Sequence, residues 1–364
     1  MSSSIIGGTR IAAVGDVMLG DDVLLLGSGV RTRVNRHGPD YPFRHVAALL
    51  RSADLGFCNL ECVLSDRGAD EREMNTLGMR GVPECAAGMA RAGFHVVSVA
   101  NNHVLDHGRL ALDETRATLT ASGVVPVGGE SGWSPKVAPR NGARLGFLAY
   151  CLVSGRERPS DGKLGAIVTD VRRGRGQVDC LVVSLHWGDE YMPSPLPWQV
   201  SFAHRLIDEG VTLVLGHHPH VLQPVEPHGN GLIAYSLGNF VFDMRWGATR
   251  RGAVLMVNMA RGRVIDWTLV PVIVNPEYQP VISREPECWS IRRPPLVSVD
   301  LTFPDRRRIE GAPASRRTVV RLRYRAALLG LVITALIRYS WRWRLQLLRG
   351  CLVRRRRRGT DCRC

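Results

Sequence analysis

Ile11-Ala12-Ala13-Val14-Gly15-Asp16-Val17-Met18-Leu19-Gly20 sets the pattern for the whole chain. Four apolar residues make a buried strand, and the strand stops on a glycine and an aspartate. The same arrangement recurs along the sequence. Leu55–Leu60 runs into Asn59-Leu60-Glu61, and His95–Val99 into Ala100-Asn101-Asn102-His103, with Asp106 and His107 just after. Leu181–Leu185 leads to His186-Trp187-Gly188, and Leu213–Leu215 to Gly216-His217-His218-Pro219-His220. Helical patterns lie near Arg44–Ser52, Glu84–Ala92, Leu110–Ala121 and Trp198–Glu209. Buried strands separated by such helices imply βαβ units and a largely parallel sheet. From Lys136 the pattern changes. Val137–Pro139 and Leu145–Tyr150 flank Asn141-Gly142, a strong hairpin signal. Further strands at Ile233–Tyr235, Ala253–Met259 and Val264–Val274 predict antiparallel additions and a second sheet.

Ligands of open α/β sheets bind beyond the carboxyl ends of the strands, which is where the polar residues fall. Five strands each bring a carboxylate, amide or imidazole to one edge, and Tyr235-Ser236-Leu237-Gly238-Asn239-Phe240 follows. Taken singly, each residue has a bland explanation. Asp16 could cap a helix, Asn59 or Asn101 could satisfy loop backbone, and a strand-end histidine is usually just hydrogen-bonded. Their joint occurrence points to a metal site instead. Asp, Glu, Asn and His form a donor set suited to Mn²⁺, Mg²⁺, Zn²⁺ or Fe²⁺. Trp187, Tyr191 and Phe240 either shape the adjoining pocket or pack in the core.

Six blocks carry a resemblance. They are Gly-Asp-Val-Met-Leu-Gly (15–20), Asn-Leu-Glu (59–61), Ala-Asn-Asn-His with Asp-His-Gly (100–108), Leu-His-Trp-Gly-Asp-Glu-Tyr (185–191), Gly-His-His-Pro-His-Val-Leu-Gln-Pro (216–224) and Tyr-Ser-Leu-Gly-Asn-Phe (235–240). In order and content this set resembles the CapA family of bacterial poly-γ-glutamate (capsule) synthesis proteins, over Gly15 to Asp243. The resemblance implies an α/β fold, a four-layer αββα sandwich of two mixed sheets of the calcineurin-like metallophosphoesterase type. It implies a divalent metal ion held by Asp16, Glu61, Asn102, His186 and His218. His103 and His220, with Asp106, would move protons. Asn59, Asn101, Trp187, Glu190, Tyr191, His217 and Asn239 would face the substrate, with His217 and His218 competing for the Gly-His role. Phosphoesterases carry histidine two residues after the first aspartate. Here that position is Met18, a poor ligand for a hard cation, so one tightly held ion, or one with a weak second, is the expectation.

The activity so implied is synthesis, transfer or release of a poly-γ-glutamate-like acidic polymer or peptide, by metal-assisted hydrolysis or transfer. Two alternatives stand beside it: a peptide epimerase or tailoring enzyme of a peptide natural-product pathway, and a non-catalytic polymer-binding scaffold. The near absence of lysine, confined to Lys136 and Lys163, points to a high-GC genome such as an actinomycete's.

The charge is unevenly spread. Of the 48 basic and 33 acidic residues, eighteen and three lie from Asp305 onward, so the first 304 residues carry 30 of each. The net charge of +15 belongs to the tail. The chain is read as a CapA-like domain at 1–275, a Pro/Arg-rich linker at 276–318, and a basic, partly apolar helix and tail at 319–364. Ala326–Ile337 supplies 12 uncharged residues, short of the roughly 20 a membrane span needs. With Trp341, Trp343 and Arg354–Arg358 nearby, it reads as a helix lying on an anionic membrane surface, or as one packed on the domain. No folded nucleic-acid reader surrounds the arginine run, so nucleic acid is not an expected partner. Residues 1–10 show no apolar signal segment, and the nine cysteines form no Cys-x-x-Cys pair. The expected location is cytoplasmic, peripheral at the inner face of the membrane.

Overall fold

The computed structural model describes residues 8–129, 136–140, 142–153, 158–244, 246–283 and 314–347. The first half contains β1 (Thr9–Val17), α1 (Val30–His37), α2 (Ala47–Leu50), β2 (Leu55–Leu60), β3 (Val63–Leu64), β4 (Arg80–Gly81), α3 (Cys85–Ala92), β5 (Phe94–Ser98), α4 (Gly108–Ala121) and β6 (Val125–Val127). The middle adds β7 (Lys136–Arg140), β8 (Ala143–Cys151), α5 (Asp161–Gly174), β9 (Cys180–His186), α6 (Pro197–Asp208), β10 (Leu213–His217), β11 (Val225–His228) and β12 (Gly231–Ala234). Then come β13 (Asn239–Val241), β14 (Arg251–Ala260), β15 (Arg263–Val274), β16 (Pro280–Ile282) and α7 (Ala314–Arg338).

Two mixed sheets result. The first runs β16-β15-β14-β1-β2-β5-β6, with β13 beside β1. Its β13, β1, β2, β5 and β6 are parallel, and β14 to β16 antiparallel. The second runs β11-β12-β10-β9-β8-β7. Its four central strands are parallel, with an antiparallel strand at each edge.

Alternation along the strands explains how the sheets stack. In β1, Ile11 and Ala13 face the second sheet, where they meet Leu145, Phe147, Val182 and Leu213. Ala12 and Val14 point the other way, against residues of α1, α2, α3 and α4. On the far side of the second sheet, Leu181, Val183 and Leu185 pack under α5 and α6. Every strand of β1, β2 and β9 is therefore covered on both faces, which is why each reads as a continuous apolar run. The architecture is the four-layer αββα sandwich.

Some local expectations shift. Arg44–Ser52 forms no full helix: a 3-10 turn at Tyr41–Phe43 is followed by the single turn of α2. Two further helices, α1 and α5, carry only a weak sequence signal, because glycines and arginines dilute their apolar spacing. In α5 that spacing is still present as Leu164, Ile167, Val168 and Val171, behind a Ser160 side chain that accepts from the Lys163 amide (3.3 Å). The domain also continues past residue 275. Asn275 Oδ1 accepts from the amides of Glu277 and Gln279 (both 2.9 Å), and this turn feeds β16 back onto β15. Residues 284–313, most of the expected linker, lie outside the described residues, as does Asn141 of the hairpin turn; α7 is underway by Ala314, ahead of the expected 319.

Phe57 stacks on Phe147 across the interface between the sheets, ring centroids 5.9 Å apart. Phe57→Ala should cost about 3–5 kcal/mol of stability, read as a lower urea midpoint at unchanged slope. A loss below about 1 kcal/mol would mean that this contact does not hold the sheets together.

Candidate metal centre

The parallel strands of both sheets end on one edge, and close backbone packing draws neighbouring chains together within each sheet there. A Cβ on Gly15 would stand 1.8 Å from the Gly238 carbonyl oxygen, and one on Gly216 2.0 Å from that of Tyr235. Only glycine lets these strands approach so closely. Asp16 pairs in register with Asn59 on one side and Asn239 on the other, while His217 pairs with His186 in the second sheet. His218 (φ 94°) and His220 (φ 55°) have left-handed backbone, as does Tyr191 (φ 64°). Non-glycine residues rarely accept that region, and here it aims successive imidazoles into one space.

Glu61 lies at the centre of that space. Both of its oxygens are buried and neither receives a hydrogen bond. Its Oε1 stands 3.7 Å from His103 Nε2, 3.7 Å from His186 Nε2 and 3.6 Å from His220 Nε2. These separations are too long for hydrogen bonds. They match two donors sharing an ion at about 2.0–2.2 Å, which stand roughly 3–4 Å from each other. Burial, then the charges of Asp16, Glu190 and Asp106, raises the Glu61 carboxyl well above its usual range. A buried carboxylate so placed favours either a proton or a cation.

Three sets of side chains offer ligand atoms within 4.8 Å of one another: Asp16, Glu61 and His220; Glu61, His186 and His218; and Glu190, His218 and His220. Glu61 belongs to the two deeper sets. The residues fit a divalent cation, since carboxylate, amide and imidazole acceptors converge and burial favours the neutral form of His186 and His218. Burial, then neighbouring histidines, lowers His186 well below the usual histidine range. Burial also lowers His218, to about 4. Asp16 differs. Burial raises it, but the nearby His217, with His220 and Asn59, outweighs that and holds it below the carboxylate range.

Neighbours orient the donors. His220 Nδ1 lies 2.9 Å from Asn239 Oδ1, which turns Nε2 toward Glu61. Asn59 Nδ2 donates to Asp16 Oδ1 (2.9 Å), and the His218 amide donates to Asp16 Oδ2 (3.2 Å). Asn102 Oδ1 is 2.7 Å from His186 Nε2, so this amide oxygen joins the cluster. At the mouth, His103 Nδ1 lies 2.8 Å from Asp106 Oδ2, and Nε2 lies 3.0 Å from Asn102 Nδ2.

Asp16, Glu61, Asn102, His186, His218, His220, His103 and Asp106 are thus gathered at one edge. His220 sits among the ligand atoms, although proton transfer was its expected role. Several residues expected against the substrate sit elsewhere. Asn59 and Asn101 are fully buried and bond to Asp16, to the Leu60 carbonyl and to the His103 amide. Trp187 packs under α6 and donates to the Tyr235 carbonyl (3.1 Å). Asn239 holds His220, and His217 stands 3.3 Å from Asp16 Oδ1, poorly aligned for a hydrogen bond. Glu190 and Tyr191 do border the cluster, and Trp246, unread in the sequence, packs on Tyr191 at 4.8 Å. No spacing signal marks Trp246; only the tertiary contact does. Met18 is buried beneath the outer helices, and the Gly20 amide lies 3.1 Å from its sulfur.

The protein is thus a four-layer αββα sandwich of two mixed sheets whose polar, potentially metal-ligating residues meet at one edge. The family model described as "Bacterial capsule synthesis protein PGA_cap" matches residues 10–244, and the chain belongs to that family. It is 31% identical over 276 residues to the capsule biosynthesis protein CapA of Bacillus anthracis, covering 71% of this chain and 67% of that one. It is 27% identical over 277 residues to the PGA biosynthesis protein CapA of Bacillus subtilis, covering 72% and 70%. Among solved structures, a hypothetical protein from Thermus thermophilus superposes with a TM-score of 0.45 at 17% identity, covering 72% of this chain and 98% of that one.

Burial shifts the Glu61 carboxyl toward its protonated form, so a cation entering the cluster would compete with a proton. Apparent affinity for Mn²⁺ or Zn²⁺ should therefore rise with pH, with proton release measurable by calorimetry in buffers of different ionisation enthalpy. Affinity independent of pH would contradict this. Asn239→Ala, which frees the His220 ring, should weaken metal binding by about 10–100-fold, measured by competition with a chelating dye.

Proposed function

We propose that this chain is a metal-dependent protein of poly-γ-glutamate-like polymer synthesis, acting in the synthesis, transfer or release of the polymer by hydrolysis or transfer at an acyl or phosphoryl centre. The printed functions of its Bacillus relatives support the pathway. The observation that carries the chemistry is the unpartnered Glu61 carboxylate, ringed by three imidazole nitrogens.

Asp16, Glu61 and His220 would hold one ion, and Glu61, His186 and His218, with the Asn102 amide oxygen, would hold a second. That makes two positions from this donor set even though Met18 supplies no ligand. Bound divalent ions supply Lewis-acid polarisation of an acyl or phosphoryl oxygen. The chain's own residues do the rest. Asp106, by accepting from Nδ1, sets the tautomer of His103 and leaves Nε2 as the proton-handling nitrogen. His103 is partly exposed at the mouth, where a substrate can reach it. Glu190 and Tyr191 border the entrance, and the buried Asn59 and Asn101 keep Asp16 and the His103 loop in place.

Metal analysis of the purified protein tests the centre, alongside turnover of γ-glutamyl peptides and phosphodiesters. Wild type should retain divalent metal, and Asp16→Ala should lose it; an Asp16→Ala protein that keeps its full metal content would refute this assignment. His103→Ala should keep its metal yet lose about 10²–10⁴-fold in turnover. Metal retention with full biological activity in His103→Ala would instead favour a binding scaffold.

A further inference from the structure

Helix α7 has two apolar faces. On one, Leu328, Leu331, Val332 and Leu336 pack with the buried Ala335 against Val23, Leu24, Leu26, Met74 and Leu77. Hydrogen bonds fasten its end: Arg338 Nη1 donates to Ser28 Oγ (2.6 Å), Arg338 Nη2 to the Leu24 carbonyl (3.2 Å), and Tyr339 Oη to the Val23 carbonyl (2.9 Å). On the other face, Leu322, Leu329, Ile333 and Ile337 are 56%, 60%, 51% and 75% exposed. Intervals of seven, four and four residues put them on one stripe, alongside the docked residues, at roughly 100° per residue. Trp341 (66% exposed) and Leu345 (46%) extend the apolar surface into the next helical turns, 341–347. Among the described residues of this helix, packing on the domain covers one set of apolar side chains and leaves the other facing water.

The charge around the stripe indicates what covers it. Every charged residue between Glu310 and Asp361 is an arginine, including the run Arg354–Arg358. Arg325 and Arg342 are exposed beside the stripe, and Arg342 lies over the Trp341 ring at 5.5 Å. A second copy meeting this face with its own would set arginine against arginine, whereas an anionic bilayer supplies both the apolar phase and the countercharge. Among the described residues no helix is long and apolar enough to cross a membrane, so the geometry is that of a helix lying in the interface plane.

We propose that the outward stripe of α7 inserts among the lipids of an anionic membrane surface while its inner face stays docked on the domain. The ligand is the bilayer surface, with arginines at the headgroups and Leu329, Ile333, Ile337 and Trp341 at the acyl boundary. This inference is independent of the metal centre.

Sedimentation of the full chain with vesicles tests it. The chain should bind phosphatidylglycerol/phosphatidylcholine vesicles and not pure phosphatidylcholine, with binding weakened by 0.5 M salt (about a 4 Å screening length). Leu329→Asp/Ile333→Asp/Ile337→Asp should lower binding at least tenfold with an unchanged melting temperature, because these side chains face away from the domain. Replacing Arg354–Arg358 with glutamine should lower it by roughly fivefold or less per arginine. Wild type left in the supernatant with anionic vesicles would overturn the proposal, as would undiminished binding by the triple aspartate variant. A triple variant that turns a dimer into a monomer, with no vesicle binding by wild type, would assign the face to a second copy instead.

Discussion

A carboxylate sealed between two sheets, with no hydrogen-bond donor in reach, is the constraint around which this molecule is organised. Glu61 follows β2 at the edge where both sheets end, and Asp16 lies nearby at the end of β1. Two acidic groups in one dry space repel each other. Burial raises the one, and His217 holds the other ionised. A cation between them would resolve the conflict, with His186, His218 and His220 placed as its further donors. His186 and His218 follow the same logic: burial lowers both, toward the neutral state in which imidazole ligates metal.

The scaffold keeps these donors in place through backbone rather than through flexible side chains. Gly15 and Gly216 let neighbouring chains approach to distances a side chain would forbid, and the left-handed backbone at His218 and His220 places two imidazoles, one residue apart, on one target. Such backbone is costly unless its surroundings fix it. Phe242, 5.0 Å from the His220 ring, and Asn239, bonded to His220 Nδ1, do so here. Asn59, Asn101 and Asn239, all fully buried, are part of this frame.

The C-terminal helix adds a second organising principle. Its inner face covers the segments around Leu24 and Met74, and the second of these leads to the Gly78 carbonyl, which the His107 ring approaches at 2.7 Å. His107 is adjacent to the Asp106 that orients His103. A helix with one face on the domain and the other free therefore touches the supports of the mouth without entering it.

The αββα class and the edge carrying the chemistry were legible in the sequence, because a buried parallel strand must be apolar throughout and can place polar atoms only where it stops. Ile11–Val14, Leu55–Leu60 and Leu213–Leu215 say this plainly, and Asp16, Glu61, His103, His186 and His218 come straight from their ends or those of sister strands. Roles within the cluster were less legible. Linear order does not tell which nitrogen of His220 is engaged by Asn239, nor that Trp187 alternates to the far face of its sheet while its neighbour His186 faces the cluster. Those outcomes depend on strand facing and on cross-sheet distances of a few ångströms. The tail divides the same way: composition determined that it is apolar and basic, and only packing decided which side of α7 the domain covers.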